Sequence, residues 1–142
     1  MLAKLLVALL LMALCVTIHG IGLTAAVRRL RRYELSQPFS FVQSVGLLIA
    51  VAAWAILLHL LQIAVWAVFY ALEHGMPDLA TALYFSAVTY TTTGYGDLVL
   101  PPEWRLVGGV EALTGILMCG LSTGLFFAVF TDVFGINRRS SA

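Results

Sequence analysis

Three long apolar runs alternate with short polar segments along this chain. The runs cover residues 5–27, 43–72 and 104–134, and each exceeds the roughly 20 residues that cross the hydrocarbon core of a bilayer. The pattern therefore predicts three membrane-spanning helices. The prolines lie between the runs, as expected of residues that mark helix boundaries: Pro38, Pro77, Pro101 and Pro102.

A fourth apolar run, LATALYFSAVTYT at 79–91, is too short to span a bilayer. It is followed by TTGYGD at 92–97, a segment with two glycines and an aspartate. Non-helical backbone at membrane depth is tolerated only where it is buried in protein or lines a water-filled path. We therefore predict that 79–91 forms a re-entrant helix and that 92–97 belongs to a pore.

The spacing of the glycines indicates what this segment binds. Gly94 and Gly96 permit backbone dihedrals that are closed to other residues, so successive carbonyl groups can turn the same way. The carbonyl oxygens of Thr92, Thr93, Gly94 and Tyr95, with the Thr92 hydroxyl below them, can then replace the water shell of a dehydrated cation. The negative end of the 79–91 helix dipole would favour a cation at the inner mouth.

Composition and charge define the protein class and its orientation. The chain is 61% hydrophobic and 11% charged, which predicts an integral membrane protein. Arginines cluster at 28–32 and at 138–139, and cytoplasmic loops collect basic residues. We therefore expect the N-terminus outside and the C-terminus in the cytoplasm. No basic face is available for nucleic acid, but anionic lipid is an expected partner of the first cluster: Arg28, Arg29, Arg31 and Arg32.

The segment TTTGYGD at 91–97 resembles the signature of potassium channels. The preceding YFSAVTY and the pair Trp104–Arg105 are similar to the pore helix and the inner-helix start of that family, particularly its small bacterial members with a single pore loop. The resemblance implies an all-α fold, a fourfold homotetramer in a bacterial inner membrane, and K⁺ ions in the filter with no organic cofactor. It is typical of a passive channel rather than an enzyme.

The resemblance also divides the chain. It implies an outer helix at 43–72, a pore loop at 73–103 with its pore helix at 79–91 and filter at 92–97, and an inner helix with a short tail at 104–142. An extra N-terminal transmembrane helix at 1–27 and a cytoplasmic basic linker at 28–42 precede this two-helix pore domain. We expect the extra helix to pack on the perimeter of each subunit.

Several residues are expected to support the filter. The Tyr95 side chain should wedge against neighbouring pore helices, and Asp97 should cap the external mouth. Tyr84 either donates a hydrogen bond to Asp97 or simply packs. Glu111 is an intramembrane carboxylate, which marks a functional position. We expect it to bond pore-helix hydroxyls such as those of Thr89, Tyr90 or Thr91, with a role in ion flow or gating as the alternative.

The last apolar run contains the candidates for hinge and gate. Gly115 stands where the family has its inner-helix hinge, although helix packing explains a glycine equally well. Helical spacing places five further residues on one stripe that would line the inner cavity, with the two phenylalanines as a hydrophobic constriction: Ile116, Cys119, Thr123, Phe127 and Phe130.

Two alternatives to a selective channel remain open from the sequence. Thr93 stands where the family most often has valine or isoleucine. If this change loosens the filter, it favours a weakly selective monovalent cation channel, which the intact GYG and Asp97 disfavour. The second alternative is a non-conducting membrane scaffold or modulatory subunit.

The polar residues His19, His59 and Gln62 lie within apolar runs. We expect a hydrogen bond between helices there, with a pH sensor or a metal pair as the alternative.

Overall fold

The structure is a computed structural model that describes residues 2–32, 40–73 and 75–134. It contains four α-helices: α1 (Leu2–Arg32), α2 (Phe41–Leu72), α3 (Leu79–Tyr90) and α4 (Arg105–Val133). A short 3₁₀ turn at Pro102–Trp104 leads into α4. The helices α1, α2 and the continuous segment Pro102–Val133 are each long and apolar enough to cross a membrane. The predicted all-α fold with three long apolar helices is thus confirmed.

The boundaries differ from the predicted ones at the basic cluster. Helix α1 does not end at residue 27 but continues through Arg32, so that Arg29, Arg31 and Arg32 form its last turn. Cationic side chains are favoured there because the C-terminal end of a helix dipole is negative. Residues 33–39 of the predicted linker and residues 135–142 of the predicted tail lie outside the described part of the chain.

Local capping explains where α2 and α3 begin. Ser40 and Gln43 form a reciprocal capping box at the start of α2, which therefore begins two residues before the predicted position. Asp78 caps α3 by accepting hydrogen bonds from the Thr81 backbone N–H at 2.9 Å and from the Thr81 hydroxyl at 2.8 Å.

The three long helices pack with α1 and α4 parallel and α2 antiparallel to both. At one end the Lys4 ammonium lies 3.7 Å from the centroid of the Trp104 ring, which is a cation–π contact between the starts of α1 and α4. At the other end Leu30, Val51 and Val129 form a small apolar cluster that joins the three helices. Helix α1 therefore packs directly against α4 as well as against α2.

Helix α3 enters the space between α2 and α4 and ends midway along α4. Its last residue, Tyr90, lies against Gly115, where a Cβ atom would be only 2.8 Å from the Tyr90 carbonyl carbon. The chain then returns to the starting end of α4, where Leu100 packs 3.1 Å from the Cβ position of Gly108. Segment 91–97 is thereby held halfway along the long helices.

The outer surface of this single chain is strongly apolar. Leu10, Ile49 and Leu106 are 70%, 64% and 60% exposed, and similar side chains cover all three long helices. Exposed apolar patches of this extent mark surfaces that meet lipid or other subunits.

Candidate functional site

The segment after α3 has an alternating backbone. Thr92, Gly94 and Gly96 have φ angles of +59°, +49° and +78°, while Thr93 and Tyr95 between them keep negative φ. Positive φ at the two glycines was expected from the sequence, but positive φ at Thr92 was not. A β-branched residue adopts this conformation at a cost of about 1–2 kcal/mol. Segment 91–97 thus carries a strained, regularly alternating backbone of the kind that collects at binding sites.

Hydrogen bonds tie the beginning of the segment to the end of α3. The Gly94 N–H donates to the Val88 carbonyl at 3.0 Å, and the Thr91 hydroxyl donates to the Ala87 carbonyl at 2.7 Å. The Thr91 and Thr93 hydroxyl oxygens lie 3.0 Å apart. Thr93 therefore has a hydrogen-bond partner that a valine or isoleucine at this position would lack.

The opposite end of the segment is anchored to α3 by a second contact. The Tyr84 hydroxyl donates to a carboxylate oxygen of Asp97 at 2.7 Å, which is the bond considered from the sequence. The Tyr95 side chain, by contrast, is 71% exposed in the single chain. Hydrogen bonds to α3 thus hold segment 91–97 at both ends, while its central aromatic ring is exposed in the single chain.

Glu111 lies behind the segment and joins three helices. Its side chain is fully buried. The Tyr70 hydroxyl of α2 donates to Oε2 of Glu111 at 2.8 Å, and Oε1 forms a close hydrogen bond with the Ser86 hydroxyl of α3. Ser86 Oγ also lies 3.0 Å from the Ile63 carbonyl. This carboxyl group therefore braces α3 against α2 and α4.

A hydroxyl group of α3 bonds Glu111, as expected, but the residues named from the sequence were wrong. Thr89, Tyr90 and Thr91 were expected to bond it, but the contacts are with Ser86, one turn earlier on α3, and with Tyr70 of α2. The rotation of α3 explains the difference. Tyr90 instead points its hydroxyl towards Gln62, 2.9 Å away, and Thr91 bonds its own helix.

Gly115 has a close-packing function in this structure. A Cβ atom on it would overlap the Tyr90 carbonyl oxygen, so that only glycine allows α3 to approach α4 this closely. Gly120 and Gly124 behave differently, since within the described residues no heavy atom lies within 4 Å of their Cβ positions. They face away from this chain's own helices.

The stripe predicted to line a cavity lies on the exposed side of α4. Ile116 is 56% exposed and Phe127 is 65% exposed, and the Phe130 ring packs at a tilt against Phe134, with 4.9 Å between the ring centroids. Cys119 and Thr123 are also exposed. The five residues share one face of α4, and all five are exposed in the described part of the chain.

Comparisons with known proteins identify the family. A family model described as "Ion channel" matches residues 46–132, more than half of the chain. The potassium voltage-gated channel protein Shal of Drosophila melanogaster is 35% identical over 66 residues, which are 44% of this chain and 11% of the relative. The potassium voltage-gated channel protein shk-1 of Caenorhabditis elegans is 36% identical over 76 residues, or 49% of this chain and 14% of the relative.

The chain thus spans only a small part of the length of these curated relatives. No solved structure gives a significant match. The family match nevertheless includes most of α2, all of α3, the alternating segment and nearly all of α4. The chain belongs to the ion channel family and is an integral membrane protein, and the two relatives to which it is similar are potassium channel proteins.

Proposed function

We propose that this protein is a potassium-selective channel in which backbone carbonyl groups replace the hydration shell of K⁺. The observation that carries the proposal is the alternation of positive and negative φ along Thr92–Gly96. In an ordinary strand successive carbonyls point to opposite sides, whereas alternating the handedness of consecutive residues turns them to the same side. The carbonyl oxygens of Thr92, Thr93, Gly94 and Tyr95 then form one column, with the Thr92 hydroxyl below it.

A single chain supplies only one side of such a column. Carbonyl filters enclose the ion with a ring of strands, and potassium channels as a class build that ring from four equivalent loops around one path. Closed cyclic symmetry is the usual way for identical chains to complete a ring. The exposed Tyr95 ring and the uncovered apolar face of α4 support a homotetramer in which neighbouring subunits cover both.

The surroundings of the segment support a rigid, cation-attracting filter. Helix α3 ends at Tyr90, immediately before the segment, and its C-terminal end is the negative end of the helix dipole. The hydrogen bonds of Glu111 with Ser86 and of Tyr84 with Asp97 brace the filter from behind and at the mouth. In this proposal α3 is re-entrant, and conduction is passive.

The inner end of α4 supplies the proposed gate. Phe127 and Phe130 lie on the exposed stripe of α4 towards its C-terminal end, and rings of large apolar side chains close pores by excluding water. Replacing either phenylalanine by alanine is expected to raise the current through closed channels. Phe126, 37% exposed and beside Phe127 in sequence, provides the matched control. Unchanged leak in both Phe127→Ala and Phe130→Ala would remove these residues as the gate.

We further propose that the basic end of the α1–α2 groove binds an anionic phospholipid and faces the cytoplasm. The groove has a volume of about 570 Å³, and its lining includes the apolar side chains of Val51 and Trp54 beside Arg28, Arg29 and Arg32. An acyl chain fits the apolar wall, and basic residues near a membrane surface attract anionic headgroups by about 1 kcal/mol each.

A matched pair of variants tests the lipid site. Arg31 belongs to the same cluster but does not line the groove. Phosphatidylglycerol retained by the protein, measured by native mass spectrometry against phosphatidylcholine, should fall in Arg28→Gln and stay nearly unchanged in Arg31→Gln, which removes the same charge. Equal losses in both would show a diffuse charge effect and contradict a defined site.

A weakly selective cation channel is the second candidate function. Thr93 favours it, because its hydroxyl lies 3.0 Å from that of Thr91 and changes the surroundings of the second filter residue. A non-conducting subunit is a third candidate, which the complete TTGYGD segment disfavours.

Purified protein in liposomes separates these functions. Vesicles loaded with K⁺ and placed in external Na⁺ should release K⁺. When a protonophore is added, protons enter to balance the lost charge, and their uptake reports the K⁺ flux. With the two gradients reversed, the Na⁺ flux should be small. Comparable flux of both ions would support weak selectivity. No flux with either ion, from protein that migrates as a tetramer, would support the non-conducting subunit.

A further inference from the structure

Five polar side chains from all four helices form a closed ring of hydrogen bonds beneath the filter. Gln62 Nε2 lies 2.8 Å from His19 Nδ1, and Ser122 Oγ lies 3.0 Å from His19 Nε2. Ser122 Oγ also lies 3.1 Å from His59 Nε2, and His59 Nδ1 lies 3.1 Å from the Tyr90 hydroxyl. The Tyr90 hydroxyl closes the ring at 2.9 Å from Gln62 Oε1. His19 and Gln62 are fully buried, and Tyr90 is nearly so.

Counting protons gives this ring a direction. The Gln62 amide nitrogen can only donate, so His19 Nδ1 accepts and His19 carries its proton on Nε2. That proton is donated to Ser122 Oγ, and the Ser122 hydroxyl donates onward to His59 Nε2. His59 therefore carries its proton on Nδ1 and donates it to the Tyr90 oxygen. The Tyr90 hydroxyl donates to Gln62 Oε1, and every ring hydrogen is used once.

The Leu58 carbonyl selects this direction over the reverse one. Turning the Gln62 amide by 180° would allow a complete ring that runs the other way, with both histidine tautomers exchanged. The second N–H of Gln62, however, donates to the Leu58 carbonyl at 3.1 Å. A turned amide would lose this hydrogen bond and place its oxygen against the Leu58 carbonyl oxygen, so that two acceptors would face each other in a buried position, which is costly.

The ring meets the filter at Tyr90. This residue is the last of α3 and directly precedes the segment 91–97, and its carbonyl group is packed against Gly115. Its side chain is held by Gln62 of α2 and by His59, which is in turn joined through Ser122 of α4 to His19 of α1. The base of the filter is thus fixed by all four helices.

We propose that His19, His59, Gln62 and Ser122 are positioning residues that hold Tyr90, and with it the first filter residues, in the conducting conformation. The N-terminal helix α1 is then a working part of the pore rather than a peripheral addition, because His19 completes the ring. This inference rests on the proposed potassium conduction.

Nitrogen spectroscopy tests the ring without reference to conduction. The chain has three histidines, and His74, which lies outside the described residues, can be replaced by glutamine to leave the two in the ring. In bilayer samples labelled with ¹⁵N at neutral pH, we expect His19 as the Nε2–H tautomer and His59 as the Nδ1–H tautomer. A coupling across the N–H···N bond should join Gln62 to His19. The same tautomer at both positions, or a charged imidazolium at either, would overturn the ring.

Function is tested with a conservative pair at Ser122. Ser122→Thr keeps the hydroxyl and Ser122→Ala removes it, leaving His19 Nε2–H without an acceptor and His59 Nε2 without a donor. We expect Ser122→Ala to shorten the lifetime of the conducting state about fivefold or more, the factor that corresponds to one lost hydrogen bond, and to abolish the two defined tautomers. Ser122→Thr should retain both properties.

A hydroxyl outside the ring provides the control on α1. The Thr17 hydroxyl donates to its own helix at the Ala13 carbonyl, 2.8 Å away, and Thr17→Ala should leave the open lifetime unchanged. Equal lifetimes in Ser122→Ala and Ser122→Thr, with the tautomers lost only in the former, would overturn the positioning role. Absence of K⁺ current in the unmodified protein would instead refute the proposed function and leave the tautomer result standing.

Discussion

Replacing Glu111 by leucine removes the acceptors of a buried carboxyl group while keeping most of its volume. The Tyr70 hydroxyl, which donates to Oε2 at 2.8 Å, is then left without a partner in a fully buried position. Ser86 is less affected, because the Ile63 carbonyl lies 3.0 Å from its hydroxyl oxygen and accepts its hydrogen. The change therefore leaves one buried hydroxyl group, that of Tyr70, without a hydrogen-bond acceptor.

An unsatisfied buried donor costs about 1–3 kcal/mol, which corresponds to about a 5- to 150-fold change in the unfolding equilibrium constant. Glu111→Gln should cost less than about 1 kcal/mol. The glutamine oxygen accepts from Tyr70, and its amide donates to Ser86, which still donates to Ile63. Adding Tyr70→Phe to Glu111→Leu should recover most of the loss, because both partners are then apolar.

Unfolding by sodium dodecyl sulfate in mixed micelles measures these differences for the four proteins side by side. The K⁺/Na⁺ permeability ratio of Glu111→Gln should match that of the unmodified channel, because the hydrogen bonds behind the filter persist. Destabilisation by glutamine equal to that by leucine, or a double variant no more stable than Glu111→Leu, would refute the hydrogen-bond account. A large loss of conduction in Glu111→Gln would assign the carboxyl group a role in ion flow.

Three further predictions concern α3 and the segment that follows it. Gly115→Ala places a Cβ atom on the Tyr90 carbonyl and should lower the free energy of unfolding by about 1–3 kcal/mol in the same assay. Gly20→Ala, which has open space around it, should instead stabilise α1. Similar effects of the two variants would contradict the close contact. Thr93→Val should preserve K⁺ permeation and leave the K⁺/Na⁺ ratio unchanged, and a marked rise in that ratio would show that the natural filter is weakly selective. The Thr81 backbone N–H, and then its hydroxyl, hold the pKa of Asp78 below its usual value by donating to the carboxylate. This stabilisation of α3 is complete above the pKa of unfolded aspartate and is lost as pH falls through the folded value. Thermal stability should therefore drop as the pH is lowered from about 5 to about 3 in the unmodified protein, and it should drop less in Asp78→Asn. Equal drops would refute the cap.

The three long helices could be predicted from the sequence because the length of an apolar run alone specifies a membrane helix. The three long apolar helices were predicted on this basis and are present. The end of α1 was predicted too early because a basic cluster is typical of a loop at the membrane surface. The same residues are also compatible with a last helical turn.

Side-chain partners were less accessible because they depend on how each helix is rotated about its axis. Glu111 was recognised as a candidate from its position in an apolar run, but Tyr70 and Ser86 become its partners only through the packing of α2 and α3. Ser122 carried no sequence signal, since a serine in an inner helix commonly bonds its own backbone. Thr92 at positive φ was missed because β-branched residues rarely adopt it.

The bi-ionic reversal potential in a planar bilayer tests the central claim most directly. With K⁺ on one side and Na⁺ on the other, the unmodified protein should reverse near the potassium limit. Gly94→Ala, which adds a side chain at φ +49° in the open space around that residue, should abolish K⁺-selective current because it disturbs the backbone alternation alone. A reversal potential near zero for the unmodified protein, or K⁺ selectivity fully retained in Gly94→Ala, would contradict a backbone-carbonyl filter at 92–95.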